Sequence, residues 1–377
     1  MNRMIKTFLC IFLLIPLHAT NAEENVTRPG SVGSFSLSPS PRFYGADIEL
    51  TFRGKDEPPY TIFSAELGGA WEKAYFYRLP DGSLYRGNTE GFPGITAENP
   101  EVFNRLNFNW KLGVIQGIHA KANEKRNLLS LFLFYRGRYD RNDVAEGSLA
   151  DSPQFPNKIG LLQNTLTGGI RFRNTKYYTA EDILEGMDLE FSVEAAPKFL
   201  LNSIFGNSQF SRLNCTIRYF FPVFSQAEGE WNIVSGYLGF YGTADVLSGP
   251  SIPLQPLQSF GGSDYRDGLG GTVRGLGKGR FAAPLKGAGS VEFRMNLPSL
   301  LHPNIIPGVF FFTDSGFYYI PGSPSGTGSA IYSAGGGITL NILNFANLSA
   351  YTALLLNEKR LSGSSWTPIA FGFSHHF

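Results

Sequence analysis

Met187-Asp188-Leu189-Glu190-Phe191-Ser192-Val193-Glu194-Ala195 is the stretch whose reading decides the fold. Its odd positions are all apolar, and its even positions are Asp188, Glu190, Ser192 and Glu194. Successive side chains of a strand point to opposite faces, so this segment makes a strand with one greasy face and one acidic face. The period recurs along the chain. Leu106-Asn107-Phe108-Asn109-Trp110-Lys111-Leu112 sets Asn107, Asn109 and Lys111 against its apolar residues. Leu213-Asn214-Cys215-Thr216-Ile217-Arg218-Tyr219 does the same and places Cys215 on the apolar side. Beyond Asn127, Leu129, Leu131, Leu133 and Tyr135 share one face, while Ser130, Arg136 and Arg138 share the other.

Alternation of this kind suits a soluble sandwich or a transmembrane barrel. In the first the apolar face meets a second sheet; in the second it meets lipid, and the polar face lines a lumen. Strand length separates them, because roughly 9–11 tilted residues cross a bilayer and most segments here reach that length. The expected fold class is therefore all-β, a transmembrane antiparallel β-barrel. About fourteen segments are legible, near 43–53, 60–70, 72–86, 105–117, 127–138, 163–177, 184–199, 209–224, 230–245, 286–298, 306–320, 329–342, 346–357 and 366–377. Two further strands would keep the same phase, so fourteen and sixteen both remain open. The longest connections, near 87–104, 139–162 and 246–285, all follow odd-numbered segments. Long outer loops on one side and short turns on the other are a mark of bacterial barrels. Tyr177, Tyr178, Tyr219, Tyr318 and Tyr319 lie near segment ends, where interfacial girdles are expected.

The N-terminus reads as a secretory signal peptide over 1–22. Arg3 and Lys6 precede a short apolar core, and small residues end at Ala22. Cys10 lies inside that core, so the mature chain keeps Cys215 alone and has no disulfide framework. Residues 23–42, rich in Gly, Ser and Pro, are expected to form a short periplasmic linker or plug, and 43–377 the barrel. A formal net charge of +1 argues against nucleic acid as a partner. No later segment is apolar for long enough to make a transmembrane helix.

The most unusual segment is GGTVRGLGKGRF, Gly270–Phe281. A phosphate-binding P-loop needs a glycine five residues before Gly-Lys and a Ser or Thr after it; here Thr272 and Gly279 stand in those places. The dinucleotide fingerprint fails as well, for want of a following helix. His375 and His376 are strand neighbours that point to opposite faces, so they cannot share a metal ion. No Ser-His constellation for a hydrolase is recognisable. The chain is thus expected to be non-enzymatic, with no cofactor and no metal.

At Val273-Arg274-Gly275-Leu276 the chain resembles the BamA/TamA superfamily of outer-membrane barrels, which includes assembly factors and two-partner secretion transporters. That family carries a long outer loop folded back into the lumen, with a Val/Ile-Arg-Gly-Phe/Tyr tip preceded by a segment like Leu269-Gly270-Gly271. Val291-Glu292-Phe293-Arg294 resembles its Glu-x-Arg strand, and Phe312-Thr313-Asp314-Ser315-Gly316 its Phe-x-Asp-x-Gly strand. Ser333-Ala334-Gly335-Gly336-Gly337 resembles the glycine-rich strand that follows. The end of the chain, with Phe371, Phe373 and Phe377 on one face, resembles the terminal strand recognised by the outer-membrane assembly machinery. Leu276 departs from the family's aromatic residue, and the chain shows no room for the family's periplasmic POTRA domains.

The resemblance implies a luminal staple. An arginine inside a barrel needs an anion, and its planar fork suits carboxylates, so Arg274 is expected to pair with Asp314, Glu292 or both. Gly316 leaves space for the incoming loop, and Gly270, Gly271 and Gly275 supply turning freedom at its tip. Lys278 and Arg280 carry no assigned role. Asp188, Glu190 and Glu194 are expected to line a hydrated lumen wall. The implied location is the bacterial outer membrane, where a monomeric barrel sits in lipid. Its implied partners are client outer-membrane or secreted proteins and a periplasmic or POTRA-bearing chain. A passive pore or surface-exposed structural protein is the alternative.

Overall fold

The computed structural model describes residues 31–40, 43–54, 58–76, 101–121, 126–143, 157, 159–178, 183–228, 232–263, 268–276, 282–300, 302, 305–321, 327–342, 346–357 and 366–373. The expected signal peptide, Lys278, Arg280, His375, His376 and Phe377 lie outside them.

One antiparallel sheet dominates. Its path runs in chain order through β1 (Ser31–Ser40), β2 (Phe43–Arg53), β3 (Thr61–Phe76), β4 (Glu101–Lys121), β5 (Arg126–Asp143) and β6 (Gly160–Arg173). After the three-residue β7 (Lys176–Tyr178), which pairs only with β8, it continues through β8 (Ile183–Ala196), β9 (Gln209–Glu228) and β10 (Asn232–Ser251). It ends with β11 (Leu285–Asn296), β12 (Ile305–Ile320), β13 (Thr327–Ile342), β14 (Ala346–Leu355) and β15 (Trp366–Phe373). Every neighbour follows its predecessor in sequence, as in an up-and-down barrel. Among the described residues no ladder joins β1 to β15. The sheet nevertheless curls: the Asn341 amide on β13 donates to the Tyr177 hydroxyl on β7 at 3.3 Å, although several strands separate them along the sheet.

The sheet is inside-out relative to a soluble protein. Ile48, Leu50 and Phe52 of β2, Leu131 and Leu133 of β5, Phe191 and Val193 of β8, and Leu213, Ile217 and Phe221 of β9 are all exposed. Asn107, Thr167, Glu194, Arg212, Asn214, Asp245, Lys286 and Asp314 are all buried. Water cannot be the solvent for the outer face without a heavy hydrophobic penalty, whereas lipid can. Cys215 is exposed on that face, as its parity requires.

Several boundaries differ from the sequence reading. Residues 31–40, assigned there to the linker or plug, run as β1 and pair with β2 along their whole length. Residues 61–76, divided in the sequence reading between segments at 60–70 and 72–86, form the single strand β3, and 77–86 lie outside the described residues; the small residues Gly68, Gly69 and Ala70 interrupt the apolar pattern of β3 without interrupting its pairing with β4. Two tyrosines expected in the girdle turn inward. Tyr318 is buried in a luminal cluster, because its neighbour Tyr319 takes the outer face and a strand cannot put both there. Tyr177 packs on Ile183 and Leu184 instead of facing outward.

Between β10 and β11 the chain folds into the lumen. This segment holds two short helices, α1 (Leu254–Gln258) and α2 (Leu269–Thr272). Phe260, Leu269, Val273, Leu276 and Ala283 from it pack with Ala288, Tyr318, Ile331 and Leu355 from the wall.

Candidate functional site

The sheet register sets out the site before the loop arrives. Ser290 of β11 lies opposite Asp314 of β12, and Asp314 lies opposite Ser333 of β13. Glu292 lies opposite Phe312, and Arg294 opposite Phe310. Alternation sends 290, 292 and 294, and likewise 310, 312, 314 and 316, to the lumen.

Arg274 docks onto this array. Its Nε donates to Asp314 Oδ2 at 2.9 Å and its Nη2 to Asp314 Oδ1 at 2.7 Å, a two-pronged pairing. Its backbone N–H also donates to Asp314 Oδ2 at 2.9 Å. The Nη1 group pairs with Glu292, and Nη2 donates to the Ser290 hydroxyl at 2.9 Å. That hydroxyl in turn donates to Asp314 Oδ1 at 2.6 Å, and Ser333 donates to Oδ2 at 3.4 Å. Both expected anions are therefore used at once. Burial opposes the charge on Arg274, but the hydrogen bonds and charge of Asp314, joined by Glu292, outweigh it and hold the guanidinium's pKa above its ordinary value.

Aromatic rings support the plane of the fork. The Arg274 guanidinium carbon sits 3.4 Å from the Phe312 ring centroid, and that of Arg294 lies 5.8 Å from Phe310. The strand glycines make these positions available. A Cβ at Gly335 would meet Phe312 Cζ at 2.6 Å, and one at Gly337 would meet Phe310 at 2.8 Å. At Gly316 a Cβ would meet Val273 Cγ2 at 2.8 Å and Leu269 Cδ2 at 3.0 Å, so the missing side chain is where the loop tip fits. Gly275 has φ of 91°, a left-handed conformation that favours glycine. Gly270 and Gly271, expected to supply similar freedom, lie instead within the helical turn α2. Leu276 is buried in the loop's own cluster. Phe371 and Phe373 lie in β15.

A second set of contacts grips the base of the loop. Glu194 lies opposite Arg212, Asn214 opposite Asp245, and Asp245 opposite Lys286, so the register alone builds a charged row across β8–β11. Asp245 accepts from the Gly261 N–H at 2.9 Å and from Asn214 at 2.7 Å. Arg212 lies 3.2 Å from Glu194 and 3.4 Å from Asp245, and donates to the Pro256 carbonyl at 2.6 Å. Lys286 donates to the carbonyls of Pro256 at 3.0 Å and Ala283 at 3.1 Å. Farther round the wall, Arg136 donates to the Gly262 and Ser263 carbonyls, and Glu190 accepts from the Ser263 N–H at 2.6 Å. Glu190, read from sequence as part of a hydrated wall, is a loop anchor, whereas Glu194 pairs with Thr165 and with Arg212, which itself grips the loop. Asp188 holds Thr175.

Sequence reasoning missed Ser290, Phe312 and Ser333 as members of the staple, although their parity with Glu292, Asp314 and Gly335 was available. For Arg212, Asp245 and Lys286 there was no comparable signal, because their partnership exists only in the register.

Solved structures share this fold. BamA from Haemophilus ducreyi lacking POTRA domains 1–3 is similar with a TM-score of 0.56 at 12% identity, over 91% of this chain and 64% of that one. CdiB from Acinetobacter baumannii matches with a TM-score of 0.51 at 14% identity, over 91% and 53% of the two chains. CdiB from Escherichia coli gives 0.54 at 11%, over 87% and 52%. The chain thus spans between about half and two thirds of these proteins' length. No protein-family model matches it, and no curated protein matches it by sequence. In fold the chain is similar to the outer-membrane barrels of BamA and CdiB.

Proposed function

We propose that the chain is an outer-membrane assembly or translocation factor, acting non-enzymatically on client outer-membrane or secreted proteins. The observation that carries this reading is the loop held inside the lumen by Arg274 against Asp314 and Glu292. The shared fold with BamA and CdiB adds support.

Work on a client would use the sheet's edges. An edge strand presents a row of N–H and C=O groups that can take up an extended client segment by strand addition. A periplasmic or POTRA-bearing partner would bring the client to that edge. Cysteine pairs engineered along β1 and β15 test the idea, since a disulfide there would close the seam. Oxidation should stop client insertion or secretion, and reduction should restore it. Unchanged delivery with the seam locked would refute the reading. Co-purification from detergent extracts would identify a periplasmic partner.

A further inference from the structure

The connection from β8 to β9, residues 197–208, contradicts the usual chemistry of an exposed loop. Its sequence is PKFLLNSIFGNS, with Lys198 as its one charged residue. Phe199 is 77% exposed and Ile204 69%, more than any described large apolar side chain of the sheet, and Leu201 is 56% exposed. Large apolar groups clustered on a short loop mark an interaction surface.

The segment is held rigidly from below. Asn202 is fully buried; its side chain accepts from the Asn164 N–H at 2.6 Å and donates to the carbonyls of Asn164 and Pro197 at 2.8 Å. Asn202 thereby imitates the next strand for the start of β6, whose pairing with β8 begins only at Leu166. The Leu162 N–H donates to the Phe205 carbonyl at 2.8 Å, and the Asn164 amide to the Leu200 carbonyl at 2.9 Å. Leu201 itself has φ of 66°, a conformation that glycine or asparagine adopts with less strain. A bulky apolar side chain is thus kept pointing outward from a fixed frame.

That frame continues the outer wall. Phe205 packs 5.4 Å from Tyr139, which shares its face of β5 with the exposed Leu131 and Leu133. Ile159, just before β6, is exposed beside it. The Ser251 hydroxyl donates to the Asn207 carbonyl at 3.0 Å, so the segment sits at the barrel end from which the luminal loop departs. The patch is therefore the upper margin of the apolar belt, with Lys198 at its edge.

From this we infer that residues 197–208 form an interfacial anchor, with Phe199, Leu201 and Ile204 seated among the upper acyl chains of the adjoining leaflet and Lys198 at the headgroup phosphates. An apolar patch contiguous with a hydrophobic belt and edged by lysine has the composition of a membrane-surface element. It would fix the height and tilt of the barrel on this side. The inference rests on the reading of the outer face as lipid-facing.

A nitroxide label on Ile204→Cys tests it, with Cys215 replaced by serine, in the mature chain reconstituted into phosphatidylethanolamine–phosphatidylglycerol vesicles. Leu213→Cys serves as the belt reference. Collisional relaxation by oxygen, which concentrates in lipid, should exceed that by a water-soluble nickel chelate at both positions. Nickel-dominated relaxation at 204 with oxygen dominating at 213 would overturn the anchor and leave the barrel reading intact. Nickel dominating at both would overturn the two together. Exclusion of both reagents at 204 would assign the patch to contact between two copies, and would also overturn the anchor.

Discussion

Replacing Arg274 with alanine is the most informative single perturbation. The change removes both prongs to Asp314, the contact with Glu292 and the hydrogen bond to Ser290. Asp314 has a side chain with no exposed surface and keeps only the Arg274 N–H, Ser290 and Ser333 as donors. Breaking a buried pair from one side costs about 3–5 kcal/mol, because the remaining charge is left without its counter-ion. Ejection of the loop should not follow. Leu269 and Val273 stay buried, each contributing about 1.5–3 kcal/mol of hydrophobic burial, and the base contacts of Arg212, Asp245 and Lys286 are untouched. The expected outcome is a tip that opens far more often over an intact barrel. Hydrogen exchange reads this directly. Amide protection over 268–276 should fall by roughly a hundredfold to several thousandfold, as 3–5 kcal/mol demands when exchange tracks local opening. Protection in β11 and β12 should hold. Arg274→Lys keeps the charge but loses the fork and should lie between the two. If 268–276 exchanges in Arg274→Ala at the wild-type rate, the staple is not what holds the tip.

The remaining expectations concern other parts of the same design. Gly316→Val would drive a side chain into Val273 and Leu269; displacement of the tip should cost about 1–3 kcal/mol, seen in the same exchange experiment. Asp245→Ala leaves Arg212 and Lys286 buried without their shared carboxylate, so the base of the loop should loosen by about 3–5 kcal/mol and the melting temperature should fall. Deleting 262–280 should raise single-channel conductance in planar bilayers above that of the wild type, and an unchanged current would show that the loop does not block the lumen. In lipid vesicles Cys215 should resist a charged, membrane-impermeant maleimide that labels a cysteine facing water.

The sequence carried the parity of each long strand, and parity suffices to say which residues face lipid and which face the lumen. It therefore gave the inside-out character of the sheet, and together with the motif resemblance it placed Arg274, Asp314, Glu292 and Gly316 in one site. Parity with Asp314 and Gly316 already sends Tyr318 inward and Tyr319 outward, and the reading of both as girdle residues overlooked it. Parity fails across β3, where glycines hide a continuous strand. Residues far apart in the chain become neighbours through register alone. Asp245 meets Lys286 and Glu194 meets Arg212 because the ladders align them, and no local pattern encodes that alignment. The second grip on the loop, and the exposed face of 197–208, were decided by tertiary structure, because each depends on how several strands share one wall.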